Sequence, residues 1–517
     1  MRAMRHPVLA LAAALVVLSA CAARAPTAPG PAPAAATVAA PSPQPVALPD
    51  RPWADEVLYF VLVDRFADGD RTNDEKANPG APGAFHGGDL TGLTQHLDEI
   101  ASLGVTAIWV NPLVRNIPGY VSGAGFPDWG YHGYWADDYG KVDPRFGTEE
   151  SLRSFVDACH ARGIRVLLDV VYNHPGYDSH FVFDKATRDW LRSGIRGDCG
   201  EDDLTSCVAG LPDWKTELPE VRDFLLGQQI PWAKRFGLDG FRLDTLKHVD
   251  HDFWQIQRRR LRAEVSPTFF LLGELWGGDR ESLDAYFAAD EIDAGFDFTF
   301  QGNTVGWILG RGRTIAYERY LEQRHKVRAG HYLAHFLSSH DVTGALKMLG
   351  GDLQAFRLAA ILQLTTLGIP TIFYGEEVGR DIGDWPANRS DMPWGDRDIL
   401  PGKGKPRSEP LRDLYRKVIA VRRAHPALSR GDHAALSVEG DVLVFARRLD
   451  RDAVVVAVNR GRGPARVRVT VPQAWAGAAV SDVLTGEAVD VHDGSADIAL
   501  DGRTARILAP AAEETPR

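Results

Sequence analysis

Cysteine and methionine are scarce, with four of each among 517 residues. Four cysteines exclude a disulfide-rich scaffold, and no two stand in the C-x-x-C spacing that holds zinc. Excess basic charge is also missing: 58 lysines and arginines face 69 acidic residues, a formal charge of −11. That balance argues against a nucleic-acid partner or attraction to an anionic membrane surface. The apolar run near the N-terminus, Val8–Leu18, is too short to cross a bilayer, which takes about 20 residues. What remains is an ordinary globular composition, 44% apolar and 25% charged, at a length that predicts two or three domains.

Arg2, Arg5 and His6 precede the apolar run, as in an export signal. Leu18-Ser19-Ala20-Cys21 then resembles a bacterial lipobox. Residues 1–20 are expected to be removed and Cys21 lipidated as the membrane anchor; the plainer alternative is a secretory signal with an incidental cysteine. Ala22, where aspartate favours inner-membrane retention, implies the outer membrane or cell surface, or release from it. Residues 21–50 form a Pro/Ala-rich linker with 8 prolines from Pro26 to Pro49, a semi-rigid tether. The folded body begins near Arg51.

Short apolar runs recur along the body, at Val57–Val63, Ala107–Val110, Ile164–Val171, Phe269–Leu272 and Thr371–Tyr374. They read as buried strands, with weaker ones at Gly240–Leu243, Gly295–Phe298 and Ala334–Leu337. Helical spacing separates them at Leu90–Leu103, Thr148–Arg162, Val221–Phe236 and Gln354–Leu367. Eight alternating units predict a (β/α)8 barrel over residues 51–427. From 428 to 517 the pattern changes to strands such as Asp441–Arg448, Ala453–Asn459 and Ala465–Val471, predicting an antiparallel β-sandwich domain.

Polar residues at strand C-termini of such a barrel face the active-site mouth. Four ends are loaded: Asp169 to Asn173-His174, Arg242-Leu243-Asp244 followed by Lys247-His248, Gly273-Glu274-Leu275-Trp276, and His340-Asp341. An aspartate just past a strand often merely caps the next helix. Capping does not account for Asp244, Glu274 and Asp341 together with Arg242 two residues before an aspartate. These four segments, flanked by Gly104–Pro112 and Gly368–Glu377, resemble the α-amylase superfamily of retaining α-glucoside hydrolases and transglycosylases, over roughly Arg51–Ala509.

The resemblance implies Asp244 as nucleophile, Glu274 as acid/base and Asp341 as the residue that grips the sugar hydroxyls. Arg242 holds the nucleophile ionised, His174 and His340 donate to sugar hydroxyls, Tyr134 stacks on the sugar beside His132, and Arg389 shapes the donor side. Lys247 is implied in α-1,4-glucan binding. Ser339 and Trp385 depart from the family pattern. Residues 175–212 correspond to its inserted B domain, with calcium held by Asn173, Asp213 and the carbonyl of His248. A second cluster, Asp68, Asp70, Asn73, Asp74, Gly87 and Asp89, resembles a further calcium loop, against the plainer reading of a solvated acidic turn. Calcium is the one cofactor expected. Cys199 and Cys207 are candidates for a disulfide if the chain is exported, and Cys159 reads as a buried free thiol.

The expected activity is α-amylase cleavage of α-1,4 bonds in starch, glycogen or maltodextrins, by a monomer. The alternative is a cyclomaltodextrinase, neopullulanase or transglycosylating enzyme. Against it stands the lack of an N-terminal β domain before Trp53, and against cyclodextrin glucanotransferase the lack of further C-terminal domains. A non-catalytic glycan-binding lipoprotein is disfavoured because all three carboxylates are present.

Overall fold

In the computed structural model, which describes residues 48–510, eight apolar segments form parallel strands. They are β1 (Leu58–Val61), β2 (Ala107–Val110), β3 (Arg165–Val170), β4 (Gly240–Leu243), β5 (Phe270–Gly273), β6 (Ala294–Phe296), β7 (Tyr332–Phe336) and β8 (Ile369–Phe373). Each pairs with the next and β8 returns to β1, closing the barrel. The strands are covered on both faces, so they read as continuous apolar runs rather than alternating ones. All eight expected strands are present. The expected signal peptide, Cys21 and most of the linker lie outside the described residues.

The helices start where sequence signals place them. Thr148 caps Glu149–His160 in a reciprocal capping box with Ser151, and Pro219 opens Pro219–Phe236. Leu90–Leu103 is not one helix. It breaks at His96 into Leu90–Gln95 and Leu97–Ala101, with the imidazole packed 5.1 Å from the Trp394 ring. A tertiary contact overrides local spacing there.

Between β3 and the Pro219–Phe236 helix, the chain loops outward. Leu191–Arg192 pairs with Asp213–Trp214 at its base, and Cys199–Cys207 form a disulfide within it. Cys159 is free and buried.

Beyond the Glu409–Ala424 helix, two antiparallel sheets face each other. The larger contains β9 (Asp432–Glu439), β10 (Val442–Leu449) and β11 (Asp452–Asn459). One face of it, with Val444, Val455 and Ala457, packs on Val467, Val469 and Ile498 of the smaller sheet. Leu443, Phe445, Val454 and Val456, on the other face, join the barrel's core. Burial on both sides explains the uninterrupted Ala453–Val458 run.

Candidate active site

The C-terminal strand ends open into a cleft of about 440 Å³, lined by Asp244, Glu274, Asp341, His132, Tyr134, His174, His340 and Arg389. Arg242 organises its floor. Alternation along β4 puts Arg242 and Asp244 on one face, and the barrel register sets Arg242 beside Asp169 of β3. Its Nη1 donates to Asp244 Oδ1 at 2.5 Å and to Asp169 Oδ1 at 3.0 Å, while Nη2 lies 3.2 Å from Glu274 Oε2. Beside it, Phe60, Trp109, Phe296 and Phe336 line a small hollow of about 20 Å³, which Arg242 and Glu274 also face. Their apolar rings strengthen the pull of the guanidinium on its carboxylates.

Glu274 directly follows β5 and is buried, its Oε2 accepting from the Thr245 amide at 2.9 Å. Burial pushes its carboxyl up to about 8, reinforced by the negative charges of Asp244 and Asp341 and opposed by Arg242 and the Thr245 N–H. It is therefore protonated at neutral pH, as a general acid must be. Asp341 is different. Burial alone would raise its carboxyl. The His340 ring at 3.0 Å, Arg389 at 2.9 Å and Arg242 together hold it below the ordinary carboxylate range. Burial drives His340 down to about 3, so that ring is neutral and the positive charge on Asp341 comes from the two arginines.

The Tyr134 ring lies parallel to His340 with centroids 5.4 Å apart, and its hydroxyl donates to Asp169 Oδ2 at 2.7 Å. His132 Nδ1 accepts from the Tyr134 amide at 3.1 Å, leaving Nε2–H as its free donor. Burial lowers the pKa of both His132 and His174, so both are neutral.

Two placements differ from the sequence reading. Lys247 does not line the cleft; its Nζ pairs with Asp203 of the 175–212 segment at 3.1 Å. Asp169, named from sequence at the first strand end but given no role there, holds Arg242, Tyr134 and the Trp109 indole at once. Burial pushes its carboxyl up to about 7, with Arg242 opposing. Its signal was its position, in the same strand-end segment as Asn173 and His174.

The expected calcium ligands gather in two places. Asn173 Oδ1 faces Asp213 Oδ1 at 2.9 Å and the His248 carbonyl at 2.8 Å. Three acceptors converge with no hydrogen between them, which calls for a cation or for a turned amide donating to both. In the second cluster, Asp68 Oδ1, Asn73 Oδ1 and Asp74 Oδ1 are buried without hydrogen-bond partners. Burial, with Asp68 and Asp89 nearby, pushes the Asp74 carboxyl up to about 6. Gly87 has φ +95°, and a Cβ there would lie 2.5 Å from Asp74 Oδ1, so only glycine admits that carboxylate. The Asp70 carboxylate turns away to accept from the Thr72 amide, and Asp89 accepts from the Gly92 and Asp70 amides.

A closed parallel barrel whose mouth gathers a neutral carboxyl, an arginine-bound carboxylate and stacked aromatic rings defines a barrel glycoside hydrolase. Residues 60–196 and 200–392 match the model of the α-amylase catalytic domain, and residues 431–508 that of the α-amylase C-terminal domain, so the chain belongs to the α-amylase family. It is 31% identical over 439 residues to a cyclomaltodextrinase from Bacillus sp., covering 79% of this chain and 73% of that protein. Neopullulanase 2 of Thermoactinomyces vulgaris is 30% identical over 483 residues, covering 87% and 76%. The crystal structure of an α-amylase from Geobacillus thermoleovorans complexed with acarbose superposes with a TM-score of 0.78 at 30% identity, covering 89% of this chain and 99% of that one.

Proposed function

We propose that this glycoside hydrolase cleaves α-1,4-glucosidic bonds in cyclomaltodextrins and short maltodextrins, with retention, through a covalent glycosyl–enzyme intermediate. One observation carries the chemistry: Asp244 and Glu274 are bound to the two terminal nitrogens of the same guanidinium. Two carboxyl groups so close suit the retaining arrangement, in which about 5–5.5 Å separates nucleophile from acid/base. The substrate class is the alternative of the sequence reading; the cyclomaltodextrinase and neopullulanase relatives favour it over a starch amylase.

Glu274 gives its proton to the glycosidic oxygen as Asp244 Oδ attacks the anomeric carbon and the bond to the leaving sugar breaks. Arg242 Nη1, bonded to Asp244 Oδ1, holds that carboxylate in place for the attack. Asp341, held anionic, accepts from the hydroxyls of the attacked ring, while His132 Nε2–H donates to another and Tyr134 stacks below. Glu274, now ionised, takes a proton from water as the water displaces Asp244. The neutral Glu274 must survive to start each turn, so kcat/KM is expected to fall as pH rises through about 8. A pH–rate profile flat from 7 to 10 would contradict this assignment.

The oxygen sets described above fit calcium. Asn173, Asp213 and the His248 carbonyl would hold one ion, and Asp68, Asn73 and Asp74 another, with Asp70, Gly87 and Asp89 shaping the loop around it. The ion would bind the 175–212 segment to the barrel by charge, with no part in bond breaking. EDTA is expected to lower the melting temperature by about 5 °C and added calcium to restore it. A melting curve indifferent to both counts against the two sites.

Comparing kcat/KM on β-cyclodextrin, pullulan and soluble starch tests the substrate class. Preference for the cyclic substrate supports it. Preference for starch would return the enzyme to the α-amylase reading, which the Geobacillus α-amylase likeness favours, with the chemistry unchanged. We also place the enzyme outside the cytoplasm, anchored at Cys21, a reading that the Cys199–Cys207 disulfide supports.

A further inference from the structure

Cys199 and Cys207, eight positions apart, close a small ring within the 175–212 segment. The ring is folded on itself. The Gly200 amide donates to the Thr205 carbonyl at 2.8 Å, the Thr205 amide to Asp202 Oδ1 at 2.9 Å, and the Ser206 amide to the Asp202 carbonyl at 3.0 Å. A Cβ on residue 200 would lie 1.9 Å from Thr205 Oγ1, so that position takes glycine.

Among the described residues, Asp203 is the one member of the ring that bonds to the barrel, and it does so twice. Its carboxylate pairs with Lys247 Nζ at 3.1 Å, and its carbonyl accepts from His248 Nδ1 at 2.6 Å. A carbonyl only accepts, so Nδ1 carries that hydrogen. An exposed ion pair by itself holds little. Here the covalent ring removes much of the freedom a loop loses on docking, and two bonds from one residue act together.

Lys247 and His248 belong to the helical turn Leu246–His248, which starts from Thr245 at φ +50°. A positive φ is rare for a β-branched residue, and the surroundings must hold it in place. The Leu246 amide donates to the Glu274 carbonyl at 2.8 Å, and Trp254 Nε1 to the Leu246 carbonyl at 3.0 Å. Asp203 restrains the other end. The Thr245 amide of this turn meets Glu274 Oε2 at 2.9 Å, and Arg242 Nη2 reaches the same oxygen at 3.2 Å. Two donors on Oε2 leave the carboxyl proton to Oε1, the oxygen that remains for the glycosidic bond.

We propose that Asp203, presented by the disulfide-closed ring, is a positioning residue for the acid/base: it fixes the 245–248 turn, whose Thr245 amide then holds Glu274 with its proton on Oε1. Lys247 serves as the point of attachment. This rests on the glycosidase reading above.

The groups facing Glu274 are Arg242, Asp244, Asp341 and the Thr245 amide. The amide favours the ionised carboxylate, so loosening it raises the carboxyl and moves the alkaline limb of kcat/KM upward. Asp203→Ala, at an exposed position, and the pair Cys199→Ser with Cys207→Ser are each expected to lower kcat/KM on maltoheptaose about tenfold and to raise that limb by about 0.5 pH units, the scale of one hydrogen bond. On p-nitrophenyl α-maltoside, whose nitrophenolate leaves without a proton, the loss stays within about twofold. Asp203→Asn, which still offers Lys247 an oxygen, falls between Asp203→Ala and the wild type. Both substrates are assayed on one preparation in excess calcium, so a lower folded fraction reduces both rates alike. An unchanged ratio of the two rates with an unmoved limb, in both Asp203→Ala and the ring-opened variant, overturns the proposal. Equal losses on the two substrates overturn it as well, because they report damage to the fold. A wild type that cleaves neither substrate overturns the glycosidase reading itself.

Discussion

An Asp244→Asn variant is expected to lose on the order of 10⁴-fold or more in kcat on every α-glucoside while melting within about 2 °C of the wild type. The amide offers no anionic oxygen to form the ester with the anomeric carbon. The fold tolerates the change because Arg242 retains Asp169 as a partner at 3.0 Å. Removing one negative charge from a site that also holds Asp169 and the anionic Asp341 offsets the lost ion pair. Asp244→Ala supplies a chemical signature as well. Azide can enter the space vacated and attack the anomeric carbon from the nucleophile's side, displacing the leaving sugar and giving a β-glycosyl azide. Equal release of reducing sugar by wild type and Asp244→Asn sinks the assignment.

Glu274→Gln is expected to cost about 10²- to 10⁴-fold on maltodextrins, the usual contribution of general acid–base catalysis. On p-nitrophenyl α-maltoside the loss in forming the intermediate is smaller, because nitrophenolate departs without a proton. The alkaline limb near pH 8 should vanish with the carboxyl that causes it. In Glu274→Ala, azide needs no base and displaces Asp244 from the intermediate, giving an α-glycosyl azide. Opposite azide anomers from the two alanine variants would identify nucleophile and acid/base independently of rate. Equal losses on both substrates would remove Glu274 from the proton-transfer role.

The legible part of this molecule is the part in which burial and chemistry coincide. A parallel barrel strand is dry on both sides, so a charged residue at its end needs a reason, and Arg242, Asp244 and Glu274 stand out on that ground. Asp341 is legible through its place after β7 and its neighbour His340. Asp169 hides because one aspartate at one strand end looks like any other; only the β3–β4 register shows that it shares Arg242 with Asp244. Asp128 of the cleft wall lies on a two-residue ladder and Phe126 in the loop just before it, where no periodicity marks them. Lys247 stands next to His248 in sequence, yet a charge partner 44 residues upstream, Asp203, decides where it points. The break at His96 follows from the distant Trp394 in the same way.

The anomer first released from a malto-oligosaccharide, followed by proton NMR before mutarotation, reports most directly on a covalent step at Asp244. Two displacements in succession, by Asp244 and then by water, restore the original configuration, so α-maltose is predicted to appear first. β-Maltose appearing first would mean a single displacement by water, and would contradict an intermediate on this carboxylate.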